Sequence, residues 1–150
     1  GKPCRCLLHQ IMRYQRKLSG PIWDRIDLYS DIHEVEHRKL LTPTNDNKVA
    51  RQMRTRVINA RKLQANRYGS SHKLNASMSN SDIHAFSKLS REAEALLNTA
   101  AERLDLSARA YMRSVKVART IADLADSSEV RAEHLSEALQ FRPKTLSFDF

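Results

Sequence analysis

The sequence predicts a mainly α-helical protein, a helical bundle that is preceded by a short strand and turn. Three observations predict this class. The 150 residues include only three glycines and four prolines, so obligatory turns are few. Alanine, leucine and the long charged side chains, which favour helices, are abundant. In the second half of the chain, apolar residues recur at intervals of three and four, as they do on the buried face of a helix.

The first 45 residues carry the weaker helical signal. A short helical segment is predicted around residues 8–14, and residues 19–21 form a turn that contains glycine and proline. Apolar and polar residues alternate over residues 26–33, which predicts one strand at the edge or end of a sheet. We expect the other strands of that sheet to lie in sequence that this chain lacks.

A long helix is predicted over about residues 48–68. It follows the breaker cluster at residues 42–45, where Asn45 or Asp46 is the expected N-cap, and Gly69 ends it. One face of this helix carries an apolar stripe, made by Val49, Met53, Val57, Ala60 and Leu63 or Gln64. Most of the remaining surface carries arginine and lysine.

Four shorter helices complete the predicted bundle. A Ser/Asn-rich loop over residues 70–81 precedes them, and its composition predicts the most mobile part of the chain. The helices are expected over about residues 82–89, after Ser90, after Ser107 and over about residues 132–140, with the two serines as N-caps. Amphipathic helices joined by short links bury one another's apolar faces, which gives a bundle.

Positive charge is concentrated in one interval. The formal net charge is +9, yet no acidic residue occurs between Asp46 and Asp82. Such a block attracts phosphate backbones through counterion release, whereas the alternative is a solvated helix face followed by a basic loop. The residues that would contact DNA in the first case are Lys48, Arg51, Arg54, Arg61 and Arg67.

Other classes find little support in the composition. No apolar run reaches the roughly 18 residues of a membrane span, so we expect no membrane partner. Two cysteines, Cys4 and Cys6, do not make a disulfide framework, which favours a cytoplasmic protein with free thiols.

Two patterns that resemble metal sites are set aside, so that no metal is predicted. Residues 33–37 read His-Glu-Val-Glu-His, the zinc-protease pattern, but on a strand the two imidazoles would lie about 13 Å apart, and no third ligand follows at a suitable distance. Cys4 and Cys6 with His9 could contribute two or three ligands to a zinc ion, which leaves the site incomplete.

Two motifs hold an arginine at the end of a predicted element. Residues 19–28 read Ser-Gly-Pro-Ile-Trp-Asp-Arg-Ile-Asp-Leu, which places Arg25 where the turn enters the strand. Residues 106–111 read Leu-Ser-Ala-Arg-Ala-Tyr, which places Arg109 in the first turn of a helix that Ser107 caps. A guanidinium stays charged and offers a planar fork of donors, so arginines in these places suit an anion such as a phosphate.

These motifs, with Tyr14, Lys17 and Leu18 before the first and residues 117–124 after the second, resemble the C-terminal part of the magnesium-chelatase-like AAA+ ATPases. The similarity is to their competence-type, ComM-like branch, and it covers about residues 4–142. It implies three regions. Residues 1–45 would be the C-terminal remnant of an α/β AAA+ core with the arginine-finger turn and the last strand, residues 46–142 the helical lid, and residues 143–150 a tail.

The resemblance also implies roles for the two arginines. The arginine of the Asp-Arg-Ile-Asp pattern is the family's arginine finger, which carries over to Arg25 and would act in trans on ATP bound by a neighbouring subunit. The arginine of the Leu-Ser-Ala-Arg-Ala pattern is the sensor-2 arginine, which carries over to Arg109 and would contact the nucleotide of its own subunit.

Each role has a structural alternative. The first arginine would otherwise form a surface ion pair with Asp24 or Asp27, and the second would pair with Asp105 four residues earlier. Arg119, on the same predicted helix but on another face, is predicted to be structural.

The glycine positions limit what the chain does alone. A Walker A loop needs Gly-x-x-x-x-Gly-Lys-Ser/Thr, but glycine occurs only at positions 1, 20 and 69, and Pro3 follows Gly1-Lys2. We therefore expect part of a longer ATPase, with no cofactor bound and no ATP turnover by this chain alone.

The resemblance implies that the parent binds ATP and Mg²⁺ through motifs outside this chain. It implies as partners the parent's own N-terminal AAA+ core and the neighbouring subunits of a hexamer, with a function in DNA remodelling. The rival hypothesis is a stand-alone basic helical DNA-binding module in which neither motif arginine has a nucleotide role.

Overall fold

The computed structural model describes residues 5–15, 17, 25–30, 32, 35 and 47–142, and the chain is mainly helical, as predicted. Six α-helices occur in these ranges: α1 Leu8–Gln15, α2 Asn47–Tyr68, α3 Asn80–Phe86, α4 Arg91–Arg103, α5 Ala108–Leu124 and α6 Ala132–Gln140. A short 3₁₀ helix, Asn75–Ser77, lies between α2 and α3.

Serine side chains begin three of the helices. The Ser79 hydroxyl accepts a hydrogen bond of 3.2 Å from the amide of the residue three positions later, and Ser90 and Ser107 do the same. Each bond satisfies an amide of the first helical turn that has no partner within the helix. The N-caps predicted at Ser90 and Ser107 are confirmed. Helix α3 begins two residues before its predicted start because its cap is Ser79.

Helix α5 lies at the centre of the bundle. It packs against α2, α3, α6 and the 3₁₀ helix, while α4 packs against α6. The buried apolar core consists of Met78, Ile83, Leu97, Val115, Ala118, Ala122, Val130, Leu135 and Ala138. Alanines on α5 let neighbouring helices approach closely, so small residues in this helix determine where the partners lie.

Four helices end at a residue in the left-handed backbone region. Gly69, with φ +63°, ends α2 as predicted. Lys88, Asp105 and Asp126 have φ values of 46°, 47° and 56° and follow α3, α4 and α5. A side chain in this region costs roughly 1–2 kcal/mol, which glycine would avoid. A chain with few glycines accepts this cost at three turns.

The prediction of a mobile Ser/Asn-rich loop is wrong. Asn75 and Met78 are 1% and 3% exposed, and Asn75 lies in the centre of a hydrogen-bond network. Its backbone amide donates to the side chain of Gln64, and its side-chain amide donates to Thr120 and Asp123. Small polar residues predict mobility only where water forms the hydrogen bonds of their polar groups. In this loop, side chains of the bundle form those hydrogen bonds with Asn75.

The strand predicted from Ile26 is also absent from the described part of that segment, since residues 26–30 have no regular secondary structure. The alternation identified a face that could be buried, but a strand also needs a neighbour for its backbone groups. The amide of Tyr29 instead donates to the carbonyl of Phe141, at 2.9 Å, just after α6.

The apolar stripe of α2 is buried over only half of its length. Ala60 and Gln64 are buried, whereas Val49, Met53 and Val57 are 46%, 59% and 51% exposed. The first half of the helix therefore extends beyond the bundle that covers its second half.

Several predictions concern residues outside the described ranges. They include the cap of α2 at Asn45 or Asp46, the His-Glu-Val-Glu-His pattern as a whole, Cys4, and the tail over residues 143–150. The helix predicted around residues 8–14 is α1, and it is confirmed. Among the helices described, none is both long enough and apolar enough to span a membrane.

Candidate functional site

Arg109 is the second residue of α5 and is exposed. No acidic residue occurs in the first turn of this helix. In the described ranges no carboxylate pairs with the guanidinium, so the alternative ion pair with Asp105 is not formed. Because the N-terminal end of a helix carries partial positive charge, an unpaired cation there is in a place that favours an anionic partner.

A cleft of about 530 Å³ lies beside Arg109. Arg113 and Lys116 follow on the same face of α5, at four- and seven-residue spacing, and both line the cleft. Asn80 at the start of α3 and Asp27 complete its polar lining. Three cations and one carboxylate therefore face one volume, which gives the cleft a net positive charge.

The Arg25 side chain is exposed, and its guanidinium has no ion pair within the ranges that the structure describes. The alternative partner Asp27 is engaged elsewhere, since its carboxylate accepts a hydrogen bond from Nε of Arg113. A terminal nitrogen of Arg113 donates to the backbone carbonyl of Arg25. Arg113 lies 88 residues after Arg25 in sequence, and its side chain thus joins the segment of Arg25 to the helix that carries Arg109.

Arg119 has a different environment, and its predicted structural role is confirmed. It is 1% exposed and pairs with Asp123, which is one turn further along α5. Its other donors bond to the carbonyls of Ser87, Ser127 and Ser128. The guanidinium therefore joins α5 to the loops that precede α4 and α6.

Arg67 requires a correction, because it is not available to DNA as the sequence suggested. Its guanidinium binds both carboxylate oxygens of Asp123, one of them at 2.8 Å, and also donates to Asn75. Arg67 lies seven residues after the buried Ala60, which places it on the inward face of α2. A basic residue on that face forms hydrogen bonds within the bundle rather than with a phosphate.

The carboxylate that these two arginines share is completely buried. Burial opposes ionisation of Asp123, but hydrogen bonds from Arg67 and Asn75 hold its pKa below the ordinary value. Burial also lowers the pKa of Arg119, against the attraction of Asp123. Two cations around one anion leave a buried positive charge, and three backbone carbonyls around Arg119 offset it.

Four of the five basic residues predicted to contact DNA remain accessible. Lys48, Arg51, Arg54 and Arg61 are exposed on α2, a helix without any acidic residue. Arg56 is exposed as well, but its Nε donates to the carbonyl of Leu124 at the end of α5. The accessible positive face therefore spans the projecting half of α2 and the first turn that packs on the bundle.

No group of three or more histidine, cysteine, aspartate or glutamate side chains suited to a metal ion occurs in the described ranges. Cys6 is exposed. Of the pattern at residues 33–37, only Val35 lies within the described ranges.

The sequence interpretation missed three contributors to the cleft, which are Asp27, Asn80 and Lys116. The spacing of Arg109, Arg113 and Lys116 is a helical signal that could have grouped the three cations before the structure was known. Nothing in the local sequence indicates that Asp27 faces them.

Comparison with known proteins identifies the family. Residues 47–142 match the family described as magnesium chelatase, subunit ChlI C-terminal, and residues 1–40 match magnesium chelatase, subunit ChlI. The chain is 38% identical over 133 residues to competence protein ComM of Haemophilus influenzae, which covers 89% of this chain and 26% of that protein.

Two further relatives have similar identity and coverage. An uncharacterized protein of Escherichia coli K12, YifB, is 37% identical over 142 residues, or 95% of this chain and 28% of its own length. An uncharacterized protein of Mycobacterium tuberculosis H37Rv is 34% identical over 140 residues, or 93% of this chain and 27% of its own. The chain thus spans about a quarter of the length of these relatives. The match over residues 47–142, supported by these relatives, shows that the chain belongs to the magnesium-chelatase-like family, in its ComM-like branch.

Proposed function

We propose that this chain supplies Arg25 and Arg109 to ATP sites that form between subunits of a magnesium-chelatase-like AAA+ ATPase. One observation carries the proposal: both guanidinium groups are exposed and lack an ion-pair partner in the described ranges, although their segments are held together by Arg113. An arginine whose donors are all used by the protein, such as Arg119, cannot receive a phosphate. The two motif arginines can.

Arg25 would act in trans on the γ-phosphate held by a neighbouring subunit. A guanidinium in that position stabilises the charge that develops on the transferred phosphoryl group, an effect of about 10³- to 10⁵-fold in rate. Arg109 would contact the nucleotide of its own subunit, from the cleft that it lines with Lys116.

The proposal also assigns a place in the complete ATPase to each region of the chain. Residues 1–45 would complete an α/β core, and residues 46–142 would form its helical lid. The complete protein would bind ATP and Mg²⁺ through parts outside this chain, in a cytoplasmic hexamer. The net positive charge of the cleft beside Arg109 is chemically suited to phosphate oxygens.

The test is ATP hydrolysis by the complete gene product. Arg25→Ala is expected to lower kcat about 10³-fold or more without changing the melting temperature. Arg103→Ala, at the exposed end of α4, is the matched control. Oligomers that mix Arg25→Ala subunits with subunits lacking the Walker A lysine should recover activity if the arginine acts in trans. A kcat of Arg25→Ala within twofold of the control would overturn the proposal.

A second function, DNA binding by α2, is favoured by a separate observation. Six exposed cations, Arg56 and Lys62 among them, occur on this helix with no carboxylate on it to neutralise them. We propose that Lys48, Arg51, Arg54 and Arg61 contact DNA phosphates, which is compatible with DNA remodelling by the complete protein.

Salt dependence of affinity tests this second function. For duplex DNA the slope of log K against log salt is about 0.9 in magnitude for each phosphate that the protein neutralises, so Arg51→Gln with Arg54→Gln should reduce the slope by about 2. If the double variant leaves slope and affinity unchanged, α2 is not the DNA surface. If tight DNA binding coexists with normal ATP hydrolysis by Arg25→Ala, the stand-alone DNA-binding module is the better description.

A further inference from the structure

We infer that Arg113 is a positioning residue, which holds the segment of Arg25 against α5 and thereby sets the direction of the Arg25 side chain. The catalytic consequence rests on the proposed function of Arg25. The structural inference about the segment does not.

One guanidinium makes the connection by contacting two residues of the segment. Its Nε donates to the carboxylate of Asp27, and a terminal nitrogen donates to the carbonyl of Arg25. The Arg113 side chain is 14% exposed and that of Asp27 is 48% exposed. The contact at Arg25 is with its backbone, so the guanidinium of Arg25 remains available to a ligand.

The double contact does more than an ordinary surface ion pair. A pair between two exposed side chains adds little to stability, because both remain mobile. Here one rigid fork fixes both a side chain and a main-chain carbonyl two residues away, and that fixes the path of the backbone between them. Because a displacement of about 1 Å at a reacting group can cost on the order of 100-fold in rate, the path of this backbone matters to the tip of Arg25.

Two further contacts continue the attachment beyond Asp27. Leu28 lines an apolar groove with Val117 and Ile121 of α5. The Tyr29 amide donates to the Phe141 carbonyl at 2.9 Å. Residues 25–29 therefore lie along α5 and reach the C-terminal end of α6. Among these contacts, only that of Arg113 reaches the residue that carries the finger.

The position of Arg113 also links the two motif arginines. Arg109 lies one turn earlier on the same face of α5. A shift of this end of α5 when Arg109 contacts an anion would move Arg113, and with it the backbone of Arg25. The two arginines would then respond together to the presence of a phosphate.

Backbone hydrogen exchange in the complete protein tests the attachment itself. Arg113→Ala should raise the exchange rate of the Tyr29 amide, which donates to the Phe141 carbonyl, about 10-fold or more, while Arg103→Ala should leave it unchanged. Arg113→Lys should fall between the two, because its ammonium reaches the carboxylate without bridging to the carbonyl. The charge swap Asp27→Arg with Arg113→Asp should restore part of the protection. Unchanged exchange in Arg113→Ala, with folding verified by thermal melting, would overturn the inference.

ATP hydrolysis tests the positioning role. Arg113→Ala should lower kcat roughly 10- to 100-fold with the melting temperature unchanged. In an Arg25→Ala background the same substitution should lower kcat no further, since a residue that acts only through Arg25 has no effect once that side chain is gone. Reductions in kcat that multiply in the double variant would overturn the positioning role.

The two proposals fail separately. If Arg25→Ala keeps full activity while Arg113→Ala accelerates exchange, the arginine finger is wrong and the attachment stands. If Arg25→Ala loses activity while exchange in Arg113→Ala is unchanged, the finger stands and the attachment is wrong.

Discussion

Two pairs of arginines use the same side chain in opposite ways. Arg67 and Arg119 lie within the bundle, and they share the carboxylate of Asp123. Arg25 and Arg109 are exposed, and across the described ranges their guanidinium groups have no ion pair. An arginine whose donors are all hydrogen-bonded within the protein stabilises the fold, whereas one whose donors are unused is available to a ligand. Placement in a motif does not by itself distinguish the two.

Removal of the buried Asp123 carboxylate should reduce stability more than any other substitution considered below. Asp123→Ala removes the only carboxylate that faces Arg67 and Arg119 in the described structure, and we expect a loss of about 3–5 kcal/mol in the free energy of unfolding because buried charge is left uncompensated. Urea denaturation of the 150-residue chain measures it. Glu102→Ala, at an exposed position of α4, should change stability by no more than about 0.5 kcal/mol. A reduction below about 1 kcal/mol in Asp123→Ala would contradict the role assigned to the network.

A smaller effect should separate two arginines of one helix. Arg67→Met deletes hydrogen bonds to Asp123 and Asn75, so we expect a loss of about 1–3 kcal/mol of stability with DNA affinity unchanged. Arg61→Met should do the reverse and weaken DNA binding while stability stays within about 0.5 kcal/mol. Denaturation and a DNA titration on both variants provide the comparison. Weaker DNA binding by a fully stable Arg67→Met would restore Arg67 to the DNA surface.

A gain in stability is expected at a helix end. Lys88 is exposed with φ 46°, so Lys88→Gly should relieve backbone strain and stabilise the chain by about 1 kcal/mol. Lys88→Ala keeps the strain and serves as the control for removal of the lysine side chain. Thermal or urea denaturation distinguishes them, and a less stable Lys88→Gly protein would show that the turn is not strained.

The smallest effect concerns an ion pair that lies outside the core. Hydrogen bonds from Lys73 and then Ser79 lower the pKa of Asp82 to about 2. A carboxyl with a depressed folded-state pKa contributes stability above its unfolded value of about 4, and that contribution is lost as the pH falls from there through 2. Asp82→Asn should therefore flatten the dependence of melting temperature on pH within this window. An identical pH profile for both proteins would argue against the pair.

The helical part of the fold was predictable because its signals are local. Serine caps and the spacing of apolar residues lie within a few positions of the structure that they specify, as at Ser90 and Ser107. The strand at residues 26–30 was predicted wrongly because alternation does not reveal whether a pairing neighbour exists. The order of the Ser/Asn-rich loop was missed because it depends on Asp123 and Thr120, which are more than 40 residues away from Asn75.

The candidate site likewise has residues with a local sequence signal and residues without one. Arg25 and Arg109 were identifiable from their motifs, and the inward direction of Arg67 could have been read from its seven-residue spacing to Ala60. The contact of Arg113 with Asp27 spans 86 residues and has no local signature. Contacts of that kind depend on how the chain returns on itself, which only the folded structure reveals.

The hydrogen bond from Tyr29 to Phe141 has a consequence of its own, because both of its groups belong to the main chain. Side-chain replacement at either place leaves such a connection intact, and of the natural amino acids only proline at position 29 would delete the donor. The bond also ties a residue within the 1–40 match to one within the 47–142 match. Evolution can therefore replace either side chain without deleting this main-chain connection between the two matched regions.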